Sequence, residues 1–347
     1  MTGAVEPVYV AYQMKAIAPG KLILSGEHAV VYGRPALAMA VDLSAQSTIT
    51  TELTDRVSFH LLDLKESDSF TLRTMNELKT RVLRNYHQFL KGELKIREVL
   101  HKPIELIEFA FINILDGLHL KMSEGLSIQT HSDIPIGCGM GSSAATVLSM
   151  LRGIGHYFRV EFRPDWVMKY SMEAEKLQHG FPSGVDSYVS LHGGCALFQN
   201  GQARGVPMPR FSLHLVNTGI PNTTTGECVV QVRSHFERDL IWNDFEAVTL
   251  DLEAAIRGNN MEDIQRIVRE NNKLLVRIGV VPPRVQQFIA DVESWGAAAK
   301  VCGAGAVSGD NAGMVMVVSD RPPKELCHKY GFPILSVRGD PLGARIV

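Results

Sequence analysis

The chain has 347 residues, of which 21% are charged and 45% hydrophobic, and this length predicts two domains because one hydrophobic core rarely grows so large. The formal net charge of −2 excludes a general attraction to nucleic acid or to an anionic membrane, so the predicted partners are small molecules. Five scattered cysteines without a Cys-x-x-Cys pair, no signal-peptide pattern and no long apolar run predict a cytoplasmic protein without disulfides, structural zinc or membrane spans.

The first part of the chain is predicted to form a largely antiparallel sheet and two helices. The sequence Ala-Pro-Gly at positions 18–20 favours a turn between the first two strands. Alternating apolar positions predict strands at residues 8–17, 22–24, 44–53, 57–64 and 125–131. Apolar positions at helical spacing predict helices at residues 75–90 and 104–118.

Further helices and strands lead to the predicted domain boundary. Helices are expected at residues 142–157 and 164–178, and strands at residues 195–198 and 213–217. The stretch between these two strands, residues 200–209, is rich in glycine and proline. We therefore predict one domain over residues 1–208 and a second over residues 209–347.

The second half is predicted to be mostly helical. Amphipathic segments at residues 225–255, 261–277 and 283–295 precede a glycine-rich turn at residues 302–313 and an apolar strand at residues 314–318. Strands and helices that come in runs, without regular alternation, indicate an α+β fold.

A glycine-rich loop is the strongest signal of function. Residues 135–146 read Pro-Ile-Gly-Cys-Gly-Met-Gly-Ser-Ser-Ala-Ala-Thr and run directly into a predicted helix. Glycines let several backbone N–H groups face one oxyanion, and the helix N-terminus adds its positive dipole end. The loop fits neither a P-loop nor a Rossmann fingerprint. A plain glycine-rich turn is the alternative, but Ser142 and Ser143 supply one hydroxyl to cap the helix and another for a phosphate or metal.

The same loop contains Cys138 next to the predicted helix N-terminus. This setting is typical of thiols with a lowered pKa, and we expect sensitivity to thiol reagents. The interpretation that we favour is a small side chain that only fills space.

Ionisable side chains surround this loop in two further stretches. Lys21 opens an apolar strand and precedes Glu27 and His28 by one short turn; the alternative is a lysine that extends to the surface. Glu175 and Asp186 lie on either side of a predicted helix end, and their alternatives are a solvated helix face and a helix cap. A lysine, two carboxylates and the two serines together meet the needs of phosphoryl transfer.

These three stretches resemble the three motifs of the GHMP kinases, and the first is most similar to that of the mevalonate kinases. Lys21 followed by Glu27-His28 and Ala-Val-Val-Tyr-Gly matches the first motif. The glycine loop matches Pro-x-Gly-x-Gly-x-Gly-Ser-Ser-Ala, and residues 179–186 match His-Gly-x-Pro-Ser-Gly-Val-Asp. The likeness covers most of residues 16–194 and resumes at residues 300–313.

The resemblance implies an N-terminal domain like the second domain of ribosomal protein S5 and a ferredoxin-like C-terminal domain, with the active site in the cleft between them. It implies ATP-dependent phosphorylation of mevalonate on its C5 hydroxyl, with Mg²⁺ as cofactor. The sequence leaves the oligomeric state open, with a homodimer as one candidate. Asp186 and Lys21 are the implied catalytic residues. The implied ligands of nucleotide, metal and substrate are as follows. The nucleotide binds Pro135, Gly137, Gly139, Met140, Gly141, Ser142, Ser143 and Ala144; Mg²⁺ binds Ser142, Ser143 and Glu175; the substrate binds Glu27, His28 and Thr224.

Two departures from the family pattern bear on the substrate. The loop after Lys300 carries Ala306, Val307 and Ser308 where relatives have more glycines, and Gly219 and Asn222 stand where many mevalonate kinases have Lys and Arg. The alternatives are another small-molecule GHMP kinase, such as a phosphomevalonate kinase, and a non-catalytic GHMP-fold sensor. A diphosphomevalonate decarboxylase fits less well because its first motif lacks the lysine.

Overall fold

A computed structural model describes residues 13–347, which form two β-sheets with helices packed against them. The first sheet has the order β12-β1-β2-β5-β3-β4, with β6 paired to β2 and β7 to β6. Its strands are β1 Gln13–Ser25, β2 Ala36–Glu52, β3 Arg56–Leu61, β4 Glu66–Thr71, β5 Gly125–Ser132, β6 Cys195–Gln199, β7 Gln202–Val206 and β12 Arg345–Ile346. All neighbours pair antiparallel except β3 and β5, which are parallel.

Five helices cover one face of this sheet. They are α1 Leu72–Leu90, α2 Ile104–Gly117, α3 Ser142–Tyr157, α4 Pro164–His179 and α5 Val185–His192. Helix α2 packs among α1, α3 and α4, with Phe109 and Phe111 fully buried. Helix α3 lies across β1 and β2, and a Cβ on Gly153 would come within 2.6 Å of the Ile49 side chain. This close approach places the C-terminal half of α3 directly against β2.

The predicted turn at residues 18–20 is wrong, because β1 continues through it as a single strand. Pro19 pairs with Ser44 and Gly20 with Val41, so two residues of β2 are left out of the register at this point. A bulge of this kind accommodates the proline, which has no N–H to donate to the ladder. The part of the predicted first strand at residues 8–12 lies outside the described residues.

The second sheet is antiparallel with the order β11-β8-β10-β9. Its strands are β8 Leu213–Asn217, β9 Ala298–Val301, β10 Met314–Val318 and β11 Ile334–Ser336, and its helices are α6 Thr225–Phe236, α7 Ile241–Gly258, α8 Met261–Arg277, α9 Pro283–Ser294 and α10 Lys324–Tyr330. The predicted helical segment at residues 225–255 is therefore two helices. The two helices are separated by residues 237–240. Within this break, the Asp239 side chain accepts a hydrogen bond from the backbone N–H of Ile241, the first residue of α7.

Helix α7 joins the two sheets. Ser25 at the end of β1 shares a buried hydrogen bond of 2.7 Å with Thr249, and Arg34 forms an ion pair of 2.6 Å with Glu246. Strand β7 lies inside the predicted linker and forms a hairpin with β6, and the second sheet starts at Leu213. The division after residue 208 remains a prediction. Within residues 13–347, none of the helices combines the length and the apolar character needed to cross a bilayer.

Candidate active site

A cavity of about 580 Å³ lies where the end of β1, the glycine loop and the α4–α5 connection meet Gly303 and Ala304 of the second sheet. Most of the residues predicted from the sequence line it. They are Lys21, Glu27, His28, Pro135, Gly137, Gly139, Met140, Gly141, Ser142, Ser143, Glu175, Asp186 and Thr224. The remaining one, Ala144, is buried in the first turn of α3. Residues from four separate stretches of sequence thus share one cavity.

The glycine loop depends on its three alternate glycines. Gly137, Gly139 and Gly141 have φ values of 73°, 84° and 71°, and residues other than glycine adopt such values only at a cost in free energy. Gly141 is the N-cap of α3 and no side chain caps this helix, so the predicted capping by a serine hydroxyl is wrong. Ser142 and Ser143 are instead the first two residues of the helix. The N–H groups of this first turn have no carbonyl partner within the helix and suit an anion.

Lys21 and Asp186 form an ion pair of 3.0 Å between Nζ and Oδ1. The lysine side chain is 4% exposed and the aspartate side chain 31%, so Lys21 does not extend to the surface. A Cβ on Gly141 would lie 2.9 Å from Cγ of Lys21, so the loop glycine leaves room for the lysine. The N-cap of α5 is Gly184, which leaves the Asp186 carboxylate available for chemistry.

Glu175 is buried at 2% exposure, which excludes the solvated helix face. Its Oε2 lies 3.5 Å from Nε2 of His179, and the same nitrogen lies 3.4 Å from Oγ of Ser143. Its Oε1 has no hydrogen-bond partner within residues 13–347. Burial raises the pKa of Glu175 and nearby Asp186 adds to this, while His179 opposes it. A cation is the ligand that such a carboxylate lacks.

Glu27 and His28 lie in a strained turn. His28 has φ 59° and ψ −46°, and the N–H of Ala29 donates to the carbonyl of Glu27 at 2.6 Å, which defines a rare γ-turn. His28 contacts the second sheet through Nε2, 3.0 Å from the Ala304 carbonyl. Burial lowers the pKa of His28 to about 4, so the imidazole is neutral and Nε2 carries its proton. Backbone strain that survives in a cavity wall indicates function.

Lys300 of β9 is a site residue that the sequence reasoning missed. It is completely buried and forms an ion pair with Glu27, which is 1% exposed. A lysine inside the otherwise apolar strand Ala-Ala-Lys-Val was the available signal, since a buried ammonium requires a partner. His179, which contacts both Glu175 and Ser143, was also given no role. Its spacing of four residues from Glu175 on one helix was the signal there.

The second sheet supports the glycine loop through its backbone. A Cβ on Gly303 would lie 3.1 Å from the Cα of Gly139, and one on Gly313 would lie 2.7 Å from the Cys138 carbonyl. The backbone around Gly303 and Gly313 thus packs directly on the glycine loop. Cys138 is 2% exposed and burial raises the pKa of its thiol, so the expected reactive thiol is wrong.

The loops that depart from the family pattern interlock. Gly219 has φ 105°, and a Cβ there would lie 2.5 Å from Nδ2 of Asn311. A Cβ on Gly309 would lie 2.6 Å from Nδ2 of Asn222. A lysine at position 219 would therefore require the Asn311 amide to move and would adopt a strained positive φ. Thr224, which lines the cavity, forms a capping box with Glu227 at the start of α6.

Comparison with known proteins agrees with this geometry. The model of the GHMP kinases N terminal domain matches residues 105–194. The mevalonate kinase of Archaeoglobus fulgidus is 29% identical over 295 residues, covering 84% of this chain and 89% of its own, and that of Thermococcus sibiricus is 27% identical over 84% and 86%. The crystal structure of Methanococcus jannaschii mevalonate kinase superimposes with a TM-score of 0.77 at 26% identity, covering 96% of this chain and all of its own. The predicted α+β GHMP kinase fold is confirmed.

Proposed function

We propose that this chain, a GHMP kinase by its domain match and its fold, transfers the γ-phosphate of ATP to the C5 hydroxyl of mevalonate. The products are 5-phosphomevalonate and ADP. The observation that carries this proposal is the Lys21–Asp186 ion pair of 3.0 Å in a cavity that a glycine loop and a helix N-terminus also line. Curated relatives named mevalonate kinase, which match most of the chain, support the choice of substrate.

Asp186 is the proposed acceptor of the proton from the attacking hydroxyl. Its carboxylate is the partly exposed member of the pair, so a substrate hydroxyl can reach it, whereas Lys21 is buried. The ammonium of Lys21 holds the carboxylate in place and stabilises the negative charge that develops on the attacking oxygen. The two residues therefore act on the same oxygen atom.

The glycine loop is the proposed phosphate site. The left-handed glycines at 137, 139 and 141 turn the backbone towards the cavity, and the first N–H groups of α3 face the same space. Pro135, Met140 and Ala144 complete the loop around these donors. Backbone donors of this kind stabilise charge on transferring phosphoryl oxygens without any reorganisation.

Glu175, Ser142 and Ser143 are the proposed ligands of Mg²⁺. The residues fit the ion, because a buried carboxylate oxygen without a partner and two hydroxyls at a helix start are hard oxygen donors. When bound, the ion neutralises phosphate charge during transfer. His179 holds Glu175 and Ser143 near each other, which prepares the donor set.

The substrate end of the cavity is formed by Glu27, His28 and Thr224. We place the reaction in the cytoplasm, and a homodimer remains a prediction. Neither Gly219 nor Asn222 supplies the cation that many related kinases carry at these positions. We therefore propose that other groups hold the mevalonate carboxylate in this chain.

The proposal is tested by measuring ADP release with Mg-ATP and mevalonate, phosphomevalonate or galactose, and by locating the phosphate with phosphorus NMR. Phosphate on the C5 oxygen of mevalonate is expected. Asp186→Asn should lower kcat by about 10²- to 10⁴-fold with unchanged ATP binding. The exposed Asp320→Asn is the matched control and should behave as wild type. Turnover of a different alcohol, or full activity in Asp186→Asn, would contradict the proposal.

A further inference from the structure

One short segment of the second sheet holds both residues of the strained turn. Lys300 in β9 pairs with Glu27, and the carbonyl of Ala304 accepts from His28 at 3.0 Å. These contacts join residues more than 270 positions apart in sequence. The geometry of the substrate end of the cavity therefore depends on the segment from 300 to 304.

The ion pair of Lys300 with Glu27 is completely buried, unlike an ion pair at the protein surface. It has no exposed side-chain area, and besides Glu27 its Nζ lies 3.5 Å from the carbonyl of Ile23. Burying an ammonium and a carboxylate together is expensive, and apolar residues of similar size often serve stability as well or better. A role in stability alone is thus a weak explanation for this pair.

The pair determines the chemical character of Glu27. Burial raises the pKa of this carboxyl, and among the charges that face it Lys300 opposes the effect most strongly, with a smaller contribution from Lys21. Cys302 is the other ionisable group nearby. The ion pair with the Lys300 ammonium favours the ionised form of Glu27, and a carboxylate can only accept hydrogen bonds.

Both turn residues then have a free acceptor. Oε2 of Glu27 and Nδ1 of His28 are buried and have no hydrogen-bond partner in the described part of the chain. Because Nε2 of His28 donates to Ala304, Nδ1 carries a lone pair. Two unpaired acceptors in a cavity wall require a donor from the ligand, and they disfavour a carboxylate.

We propose that Lys300 is a positioning residue that fixes the Glu27 carboxylate so that it and His28 together recognise a substrate hydroxyl other than the one phosphorylated. For mevalonate, on which this inference rests through the proposed function, that group is the tertiary hydroxyl at C3. The proposed position of the C5 hydroxyl is at Asp186. The two hydroxyl groups of mevalonate are therefore bound by different residues.

The test compares mevalonate with its 3-deoxy analogue, 5-hydroxy-3-methylpentanoate, by kcat/KM at saturating Mg-ATP. The wild-type enzyme should prefer mevalonate by about 10- to 100-fold, because the analogue leaves a charged acceptor unpaired. In Lys300→Met this preference should fall to within about threefold, while KM for ATP stays unchanged. A purely structural lysine would lower activity on both substrates equally.

Two further variants keep the test decisive. The exposed Lys273→Met on α8 is the matched control and should retain the full preference. If Lys300→Met does not fold, the double variant Lys300→Met/Glu27→Gln removes the unpaired buried charge and should show the same lost preference. Equal use of both substrates by the wild type would overturn this inference alone. Turnover of neither would overturn the proposed function, and this inference with it.

Discussion

Lowering the pH should destabilise this protein through one histidine. His28 is buried, its pKa is lowered to about 4 from 6.5, and Nε2 already donates to the Ala304 carbonyl. The unfolded chain therefore binds a proton at higher pH than the folded chain does. Stability rises with pH wherever the unfolded state binds more protons, so it is lost as the pH is lowered: the loss begins near pH 6.5 and is complete below pH 4.

The size of the effect follows from the difference between the two pKa values. A shift of one unit corresponds to about 1.4 kcal/mol, so the full loss is about 3 kcal/mol and the loss between pH 7 and pH 5 is about 2 kcal/mol. This is a large fraction of the free energy of unfolding of a typical domain. Glu27, whose pKa is raised, contributes with the opposite sign.

The assay is urea unfolding at pH 7, 6 and 5 for the wild type and for His28→Asn. Asparagine tolerates positive φ better than most residues and does not titrate here, so it is the matched variant. The wild type should lose about 2 kcal/mol more than the variant between pH 7 and pH 5, at unchanged m-values. An equal loss in both proteins would show that the folded state does not hold His28 neutral.

Three further predictions concern the catalytic groups. Gly303→Ala should reduce kcat/KM for ATP by about tenfold or more, because its Cβ would lie 3.1 Å from the backbone of Gly139. Gly331→Ala is the control, since its Cβ would enter open space at a similar left-handed φ. This control should lower the free energy of unfolding in urea by about 1 kcal/mol and keep full activity. Lys21→Met should lower kcat by about 10²-fold or more in the ADP assay while fluorescent ATP binding persists, and loss of both would argue for a structural role instead. Glu175→Gln should shift the Mg²⁺ dependence of turnover to at least tenfold higher concentration, and an unshifted titration curve would contradict its role as a ligand.

Local signals predicted most helices correctly. The expected helix at residues 142–157 agrees with α3 and that at residues 261–277 with α8, because apolar spacing and end residues act within a few turns. The turn expected at Pro19 failed, since pairing with β2 and a bulge outweighed the local preference for a turn. The expected helix at residues 225–255 failed because the amphipathic pattern continues across the break between α6 and α7.

The candidate site was predicted in part. Lys21 and Asp186 were expected as the catalytic residues from the family resemblance, and the structure places Nζ and Oδ1 3.0 Å apart. The buried pair of Lys300 with Glu27 was not expected, because it joins two sheets and no pattern of spacing reports a contact over such a distance. The γ-turn at His28 was not predicted either, because a γ-turn with positive φ is rare and has no sequence pattern of its own.

The five cysteines of this chain are all free and all buried. They are distributed over the glycine loop (Cys138), β6 (Cys195), α6 (Cys228), the segment after β9 (Cys302) and α10 (Cys327). A buried thiol reacts with an alkylating reagent only when its surroundings open. The molecule therefore contains its own set of probes, and alkylation under native conditions, read residue by residue by mass spectrometry, would map how often each of these five regions opens.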